Sequence, residues 1–250
     1  MSDPLRLYGL NALVLNAAGG IGEAIARTLT KHGATVFAVD SSNSGVERHY
    51  AAVKGITGMS APMTDPDALP ALLDAGMEKL GGIDILINDF PLQPDSPIAQ
   101  VDEKLESLLR LRAALTLAMC NAALPQLEKS PQGRIINIGL LRSCFAADGG
   151  EANAYAEQDL AMMTHKLAVQ TGQFAITANY IQPGAIMTPE SRNLFQKDTA
   201  LRDYCIRTSA ARRLGEPVDV AKVALFLASD DAVFVSGTGI VVDGGRTRAG

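Results

Sequence analysis

The chain has 250 residues, 47% of them hydrophobic and 20% charged, with a formal net charge of -5 and a pI near 5.2. This composition belongs to a compact fold, and it excludes the basic field that would draw in nucleic acid or an anionic membrane surface. Cys120, Cys144 and Cys205 lie far apart and form no C-x-x-C, so no disulfide framework or zinc site is expected, and a reduced cytoplasmic setting fits.

The N-terminal stretch has no cationic start followed by a long apolar run, so neither a signal peptide nor a membrane anchor is expected. The first strand, "ALVLNA", leads into a glycine turn at Gly19, Gly20, Ile21 and Gly22 that opens a helix near Gly20. Backbone N–H groups at such a helix start bind phosphate, and the glycines let a pyrophosphate approach closely. The second strand, "ATVFAVD", ends in Asp40, where a carboxylate would accept a ribose 2'-hydroxyl and repel a 2'-phosphate. NAD is therefore expected in preference to NADP; the alternative is that Asp40 only caps the turn at the strand end.

Further strands follow at "DILIN", "GRIINIG", "FAITANYI" and "GIVVDGG", with segments of helical period between them. Continuous apolar strands alternating with helices predict a doubly wound parallel sheet covered on both faces. No linker or repeat divides the chain, so one domain is expected over residues 1–250. The second half of residues 101–128 and "LAMMTHKLAV" after Tyr155 are apolar nearly all round, which predicts subunit contact as well as sheet contact.

These blocks, together with "PGAIMT" and "RLGEPVDVAKVALFLAS", resemble the short-chain dehydrogenase/reductase family along the whole chain. The resemblance implies an α/β Rossmann-type sheet of seven parallel strands and a homotetramer built on the helices of residues 101–128 and 153–171. It implies an NAD-binding site drawn from Asn16, Gly19, Gly20, Ile21, Gly22, Asp40 and Asn88, with Pro183, Gly184, Ile186 and Thr188 beside the nicotinamide. The chain departs from the family pattern at Leu15-Asn16, where Thr-Gly is usual, and at Asp89-Phe90-Pro91, where small residues usually leave room for the adenosine. Pro62 falls near the family's adenine-contacting aspartate.

In this family a tyrosine handles the proton at the substrate oxygen, a serine bonds the same oxygen, and a lysine four residues after the tyrosine lowers its pKa and holds the ribose. An asparagine on the preceding long helix supports a water relay. The tyrosine is assigned to Tyr155, which places Asp159 at the lysine position, where a carboxylate disfavours phenolate and is left to accept ribose hydroxyls. Lys166 is roughly 16 Å further along the helix axis and cannot substitute. Counting from the fifth strand puts the family serine on Leu140, whereas counting back from Tyr155 reaches Arg142, with Ser143, read as a solvent-facing loop serine, next to it. The asparagine position becomes Arg112, and an ion pair between Arg112 and Asp159 beside Tyr155 would return a cation to the site.

His32 is expected at a helix C-terminus, His49 on a surface loop and His165 on a helix face; no two have ligand spacing, so no metal site is expected. Three functions compete. The first is an NAD(H)-dependent oxidoreductase of a small alcohol or ketone, using Tyr155 with Arg112 or Ser143. The second is a catalytically silent nucleotide- or partner-binding subunit. The third is a lyase similar to halohydrin dehalogenases, which share an asparagine like Asn16 but replace the glycine at Gly20 with an aromatic and carry arginine where Asp159 stands.

Overall fold

The computed structural model describes residues 7–91 and 96–246. Strand β1 (Asn11–Leu15) lies between β2 (Thr35–Asp40) and β4 (Ile85–Asn88), and all seven strands run parallel in the order β3-β2-β1-β4-β5-β6-β7. The remaining strands are β3 (Ile56–Ser60), β5 (Arg134–Ile138), β6 (Thr177–Pro183) and β7 (Gly239–Val242). Alternate side chains of each strand point to opposite faces, so one strand serves two cores. Ala12 and Val14 pack with Ile85, Ile87 and Ile136 against α1 (Gly20–Lys31) and α8 (Pro217–Ala228). Leu13, Leu15, Leu86 and Ile135 pack on the other face, toward α3 (Leu69–Leu80), α4 (Glu103–Leu127) and α5 (Gly150–Thr171). The doubly wound Rossmann-type sheet expected from the apolar runs is the fold observed.

The strand order reverses direction between β1 and β4, and a crevice forms beyond the carboxyl ends of those two strands. Its floor is the turn from β1 into α1. Asn16 has a φ of 56°, the left-handed region where asparagine is the best tolerated residue after glycine. At Gly22 a Cβ atom would stand 2.0 Å from the Asn16 carbonyl oxygen, so this position has no room for a side chain. The roof comes from α6 (Pro189–Lys197), which Thr188 caps by accepting from the Ser191 N–H at 3.2 Å while the Ser191 hydroxyl accepts from the Thr188 N–H at 2.8 Å. Helix α6 and α7 (Thr199–Thr208) share a small apolar cluster of Phe195, Leu201 and Cys205. The short α2 (Val46–Tyr50) completes the helices, and its Tyr50 hydroxyl donates to the Ala17 carbonyl behind the glycine turn.

Helix α4 is long and apolar enough by composition to cross a bilayer, yet it buries Leu105, Leu109, Leu115, Met119 and Leu127 inside this fold. Its start is fixed by Asp102, whose carboxylate accepts from the Leu105 N–H at 2.9 Å. On α5, residues 153, 156, 160, 164, 167 and 171 are buried, the three-and-four spacing of one inward stripe. That stripe is keyed to the sheet by Asn137 of β5, which donates to the Thr164 hydroxyl at 3.2 Å.

Candidate active-site cleft

The crevice is a cavity of about 530 Å³ lined by residues from both halves of the sheet. This lies within the usual range of small-molecule sites. From the nucleotide end come Asn16, Gly19, Gly20, Ile21 and Asp40; from the other end come Arg112, Leu140, Ser143, Cys144 and Thr188. Asp89 and Phe90, just beyond β4, stand between the two groups.

At the nucleotide end, the first N–H bonded within α1 is that of Glu23, to the Gly19 carbonyl, so the preceding N–H groups of the helix start have no partner within it. At Gly20, with φ of 56°, a Cβ would come within 3.3 Å of the Thr188 side chain, so glycine keeps the channel between turn and roof open. Asp40 is buried, and its two oxygens accept from the Ala18 N–H at 2.7 Å and the Ser41 N–H at 2.6 Å. It therefore caps the turn and also faces the cleft; each oxygen keeps a lone pair for a ribose hydroxyl. Phe90 does not close the cavity, because its ring is only 2% exposed and packs in the core beside Leu13 and Leu15. Pro91 lines the wall, and Pro62 is exposed. An adenine dinucleotide fits these residues: Asp40 suits a ribose, the helix start suits a pyrophosphate, and the glycines supply the clearance.

Asn88 is placed differently from expectation. Its side chain points along the sheet, donating to the Asn137 Oδ1 at 3.0 Å and the Cys120 thiol at 3.2 Å, and does not line the cavity. Gly22, Pro183, Gly184 and Ile186 also lie outside the lining. They build the walls from behind: the Gly184 N–H bonds the Val242 carbonyl at 2.8 Å, and the Ile186 carbonyl accepts from the Ser191 hydroxyl at 2.6 Å.

The ion pair expected between Arg112 and Asp159 is not formed. Arg112 is 7% exposed and anchors elsewhere, its Nε donating to the Phe90 carbonyl at 3.0 Å and a terminal nitrogen donating to the Ile138 carbonyl. The guanidinium thus bridges the ends of β4 and β5, and the carboxylate that acts on it is Asp89. A cation does stand in the cleft on the long helix, but it answers a partner from β4 rather than from α5. Asp159 is partly buried on α5 and outside the lining. Ser143, expected to face solvent, is 3% exposed and lines the cavity.

Tyr155 is 43% exposed and does not line the cleft. Asn153 lies on the inward stripe, about 200° round the helix from it, and is likewise outside the cleft lining. The position thirteen residues after Leu140 is Asn153, and four residues later stands Glu157, to which Asn153 donates at 3.0 Å. The count from β5 therefore agrees with the buried face of α5, and the count back from Tyr155 does not. In that register the family's asparagine, serine, tyrosine and lysine positions hold Arg112, Leu140, Asn153 and Glu157.

The sequence pattern alone does not mark Asp89 as a site residue. Burial pushes its carboxyl up to about 6, against the Arg112 charge and a 3.1 Å hydrogen bond from the Asn16 side chain, while Asp40 and Glu190 push the same way as burial. Arg112 is itself lowered by burial, opposed by Asp89. Burial raises the Cys144 thiol to about 11. The signal in the sequence was the pair of departures, Asn16 and Asp89, which are bonded to each other.

Among the described residues no group of three or more His, Cys, Asp or Glu is placed to hold a metal ion. His32 Nδ1 donates to the Thr28 carbonyl at 2.8 Å, and His49 lies 2.8 Å from Glu23. His165 lines a second cavity at the opposite end of the sheet, together with Arg134 and Phe234.

A family model described as "Enoyl-(Acyl carrier protein) reductase" matches residues 16–247. The chain is 31% identical to the 3-oxoacyl-(acyl-carrier-protein) reductase FabG of Vibrio cholerae, over 96% of this chain and 98% of the relative. It is 31% identical to the oxidoreductase UcpA of Escherichia coli K12, over 97% and 96%. The FabG of Thermotoga maritima is 28% identical over 96% and 99%.

Proposed function

The chain belongs to the short-chain dehydrogenase/reductase family of oxidoreductases, and from that premise we propose that it is an NAD(H)-dependent oxidoreductase of a small alcohol or ketone whose proton chemistry has left the family's tyrosine. The observation that carries this reading is the single cleft in which Asp40 and the glycine turn share one cavity with Arg112 and Ser143. Asp40 selects NAD, since a 2'-phosphate beside its carboxylate would be repelled. Ser143 polarises the substrate oxygen, while Arg112 holds the cleft wall through the Phe90 and Ile138 carbonyls. Leu140, Leu141 and Leu194 give the outer cleft an apolar wall suited to a compact carbon skeleton.

The silent nucleotide-binding reading is favoured by one observation, the loss of tyrosine, serine and lysine together at Asn153, Leu140 and Glu157. A lyase is supported less, because Gly20 keeps the open turn that a dinucleotide needs. Calorimetric titration with NADH and NADPH, followed by turnover on a panel of carbonyl compounds, separates these. NADH is expected to bind at least about tenfold more tightly than NADPH, a difference of about 1.4 kcal/mol. Tyr155→Phe is expected to leave both affinity and kcat within about twofold of wild type, as suits an exposed side chain; a kcat loss of about 100-fold would return the proton role to Tyr155. NADH binding without turnover would establish the silent subunit.

A cytoplasmic homotetramer remains part of the proposal. Tyr155, Met162 and Val169 recur every seventh residue on the outward side of α5, and Leu111 and Leu117 are exposed on α4. Such a stripe suits packing against a second copy. Sedimentation should give four times the monomer mass, and Met162→Glu should lower it.

A further inference from the structure

We propose that Asp89 is the proton donor of the cleft, held in place by Asn16 and set against Arg112. The inference rests on the oxidoreductase reading, which leaves a proton to be supplied to the substrate oxygen with neither Tyr155 nor a family serine facing it. The lining offers few groups able to supply one. Asp40 has both oxygens tied to backbone N–H groups. Glu190 is exposed, and Arg112 is spent on two carbonyls. Cys144 is the weaker acid, its thiol raised to about 11 by burial. Asp89 is 9% exposed, lines the cleft, and accepts from Asn16 through Oδ2.

The polar and charged groups around Asp89 come from several elements that close the cleft. Asn16 approaches from the β1 turn, Asp40 from the end of β2, Arg112 from α4, Cys144 from the loop after β5 and Glu190 from α6. Burial and the two carboxylates favour the acid, while Arg112 and Asn16 favour the carboxylate. This balance suits a group that must hold a proton and then release it.

When bound, a reduced nicotinamide would supply the hydride, with its electron pair, to the carbonyl carbon. Asp89 delivers its carboxyl proton to the oxygen as the charge develops there: the acid O–H bond breaks, the alcohol O–H bond forms, and the aspartate left behind is stabilised by Arg112 and reprotonated from solvent. Asn16 and Arg112 are positioning residues in this scheme. The sequence departs from its family at Asn16, Asp89 and Arg112, and the structure joins these three departures in one cluster.

The test compares wild type with Asp89→Asn by NADH calorimetry in buffers of different ionisation enthalpy, and by kcat against pH. Wild type should exchange a fraction of a proton on binding NADH, and its kcat for carbonyl reduction should fall as pH rises from about 6. Asp89→Asn should abolish the exchange and lower kcat about 100-fold or more, with the NADH dissociation constant within about threefold of wild type. Unchanged proton exchange or an unchanged pH profile in Asp89→Asn overturns the donor role alone. So does a wild-type protein that binds NADH and reduces nothing. Failure of wild type to bind NADH overturns the oxidoreductase reading itself.

Discussion

Replacement of Arg112 by leucine is expected to cost about 3 kcal/mol of folding stability, and to cost more at pH 8 than at pH 5. The side chain is 7% exposed, and its guanidinium satisfies the Phe90 and Ile138 carbonyls at the ends of two neighbouring strands. Leucine fills part of the volume but leaves both acceptors without this donor, at a cost of about 1–3 kcal/mol for a buried group. It also removes the cation that offsets the Asp89 carboxylate. At low pH Asp89 is protonated and that second loss is silent; at high pH the carboxylate is ionised and unopposed, which sets the direction of the pH effect. Urea denaturation at the two pH values measures it. Equal losses at both would mean that the Arg112 charge does not reach Asp89, and no loss at either would mean that the bridge between β4 and β5 contributes nothing. NADH affinity should fall in the same variant, because the Phe90 carbonyl it fixes belongs to the cleft wall.

The parts of this molecule that could be read in advance are those specified by local pattern. Strands such as "ALVLNA" and "DILIN" are apolar on both faces because both faces are covered, and the glycine turn with Asp40 follows from where a strand must end and a helix begin. The catalytic end depends on helix register, and a shift of two residues turns a side chain about 200°, from the buried face to solvent. Tyr155 is the only tyrosine near the expected place. The inward stripe of Asn153, Ala156, Leu160, Thr164 and Leu167 would have placed α5 correctly, since its small and apolar residues recur at helical spacing. Arg112 was harder. A buried cation demands compensation, but nothing local says from where, and the partners lie in the Asp89-Phe90 segment and on β5, brought together only by the sheet. Asp159 is the anomaly nearest in sequence to Tyr155; Asp89 is the one that the fold brings to Arg112.

Asp89 should also leave its mark on stability as a function of pH. Its folded-state pKa of about 6 lies above the ordinary value of 3.8, so the folded protein binds that proton more tightly than the unfolded chain does. A carboxyl raised in this way contributes stability that is fully present below its unfolded pKa and is lost as pH rises through the folded value. About two pKa units correspond to about 3 kcal/mol at most, shed between about pH 4 and pH 7. The other titrating groups are common to wild type and Asp89→Asn. The quantity to measure is therefore the stability of Asp89→Asn minus that of wild type, from urea denaturation across this range. It should rise by about 3 kcal/mol with pH, because the amide escapes the cost of ionising in a buried site while keeping the shape that Asn16 holds. Parallel profiles for the two proteins would place the ionised carboxylate in contact with water in the folded state, and would remove the physical basis for a proton held and released inside the cleft.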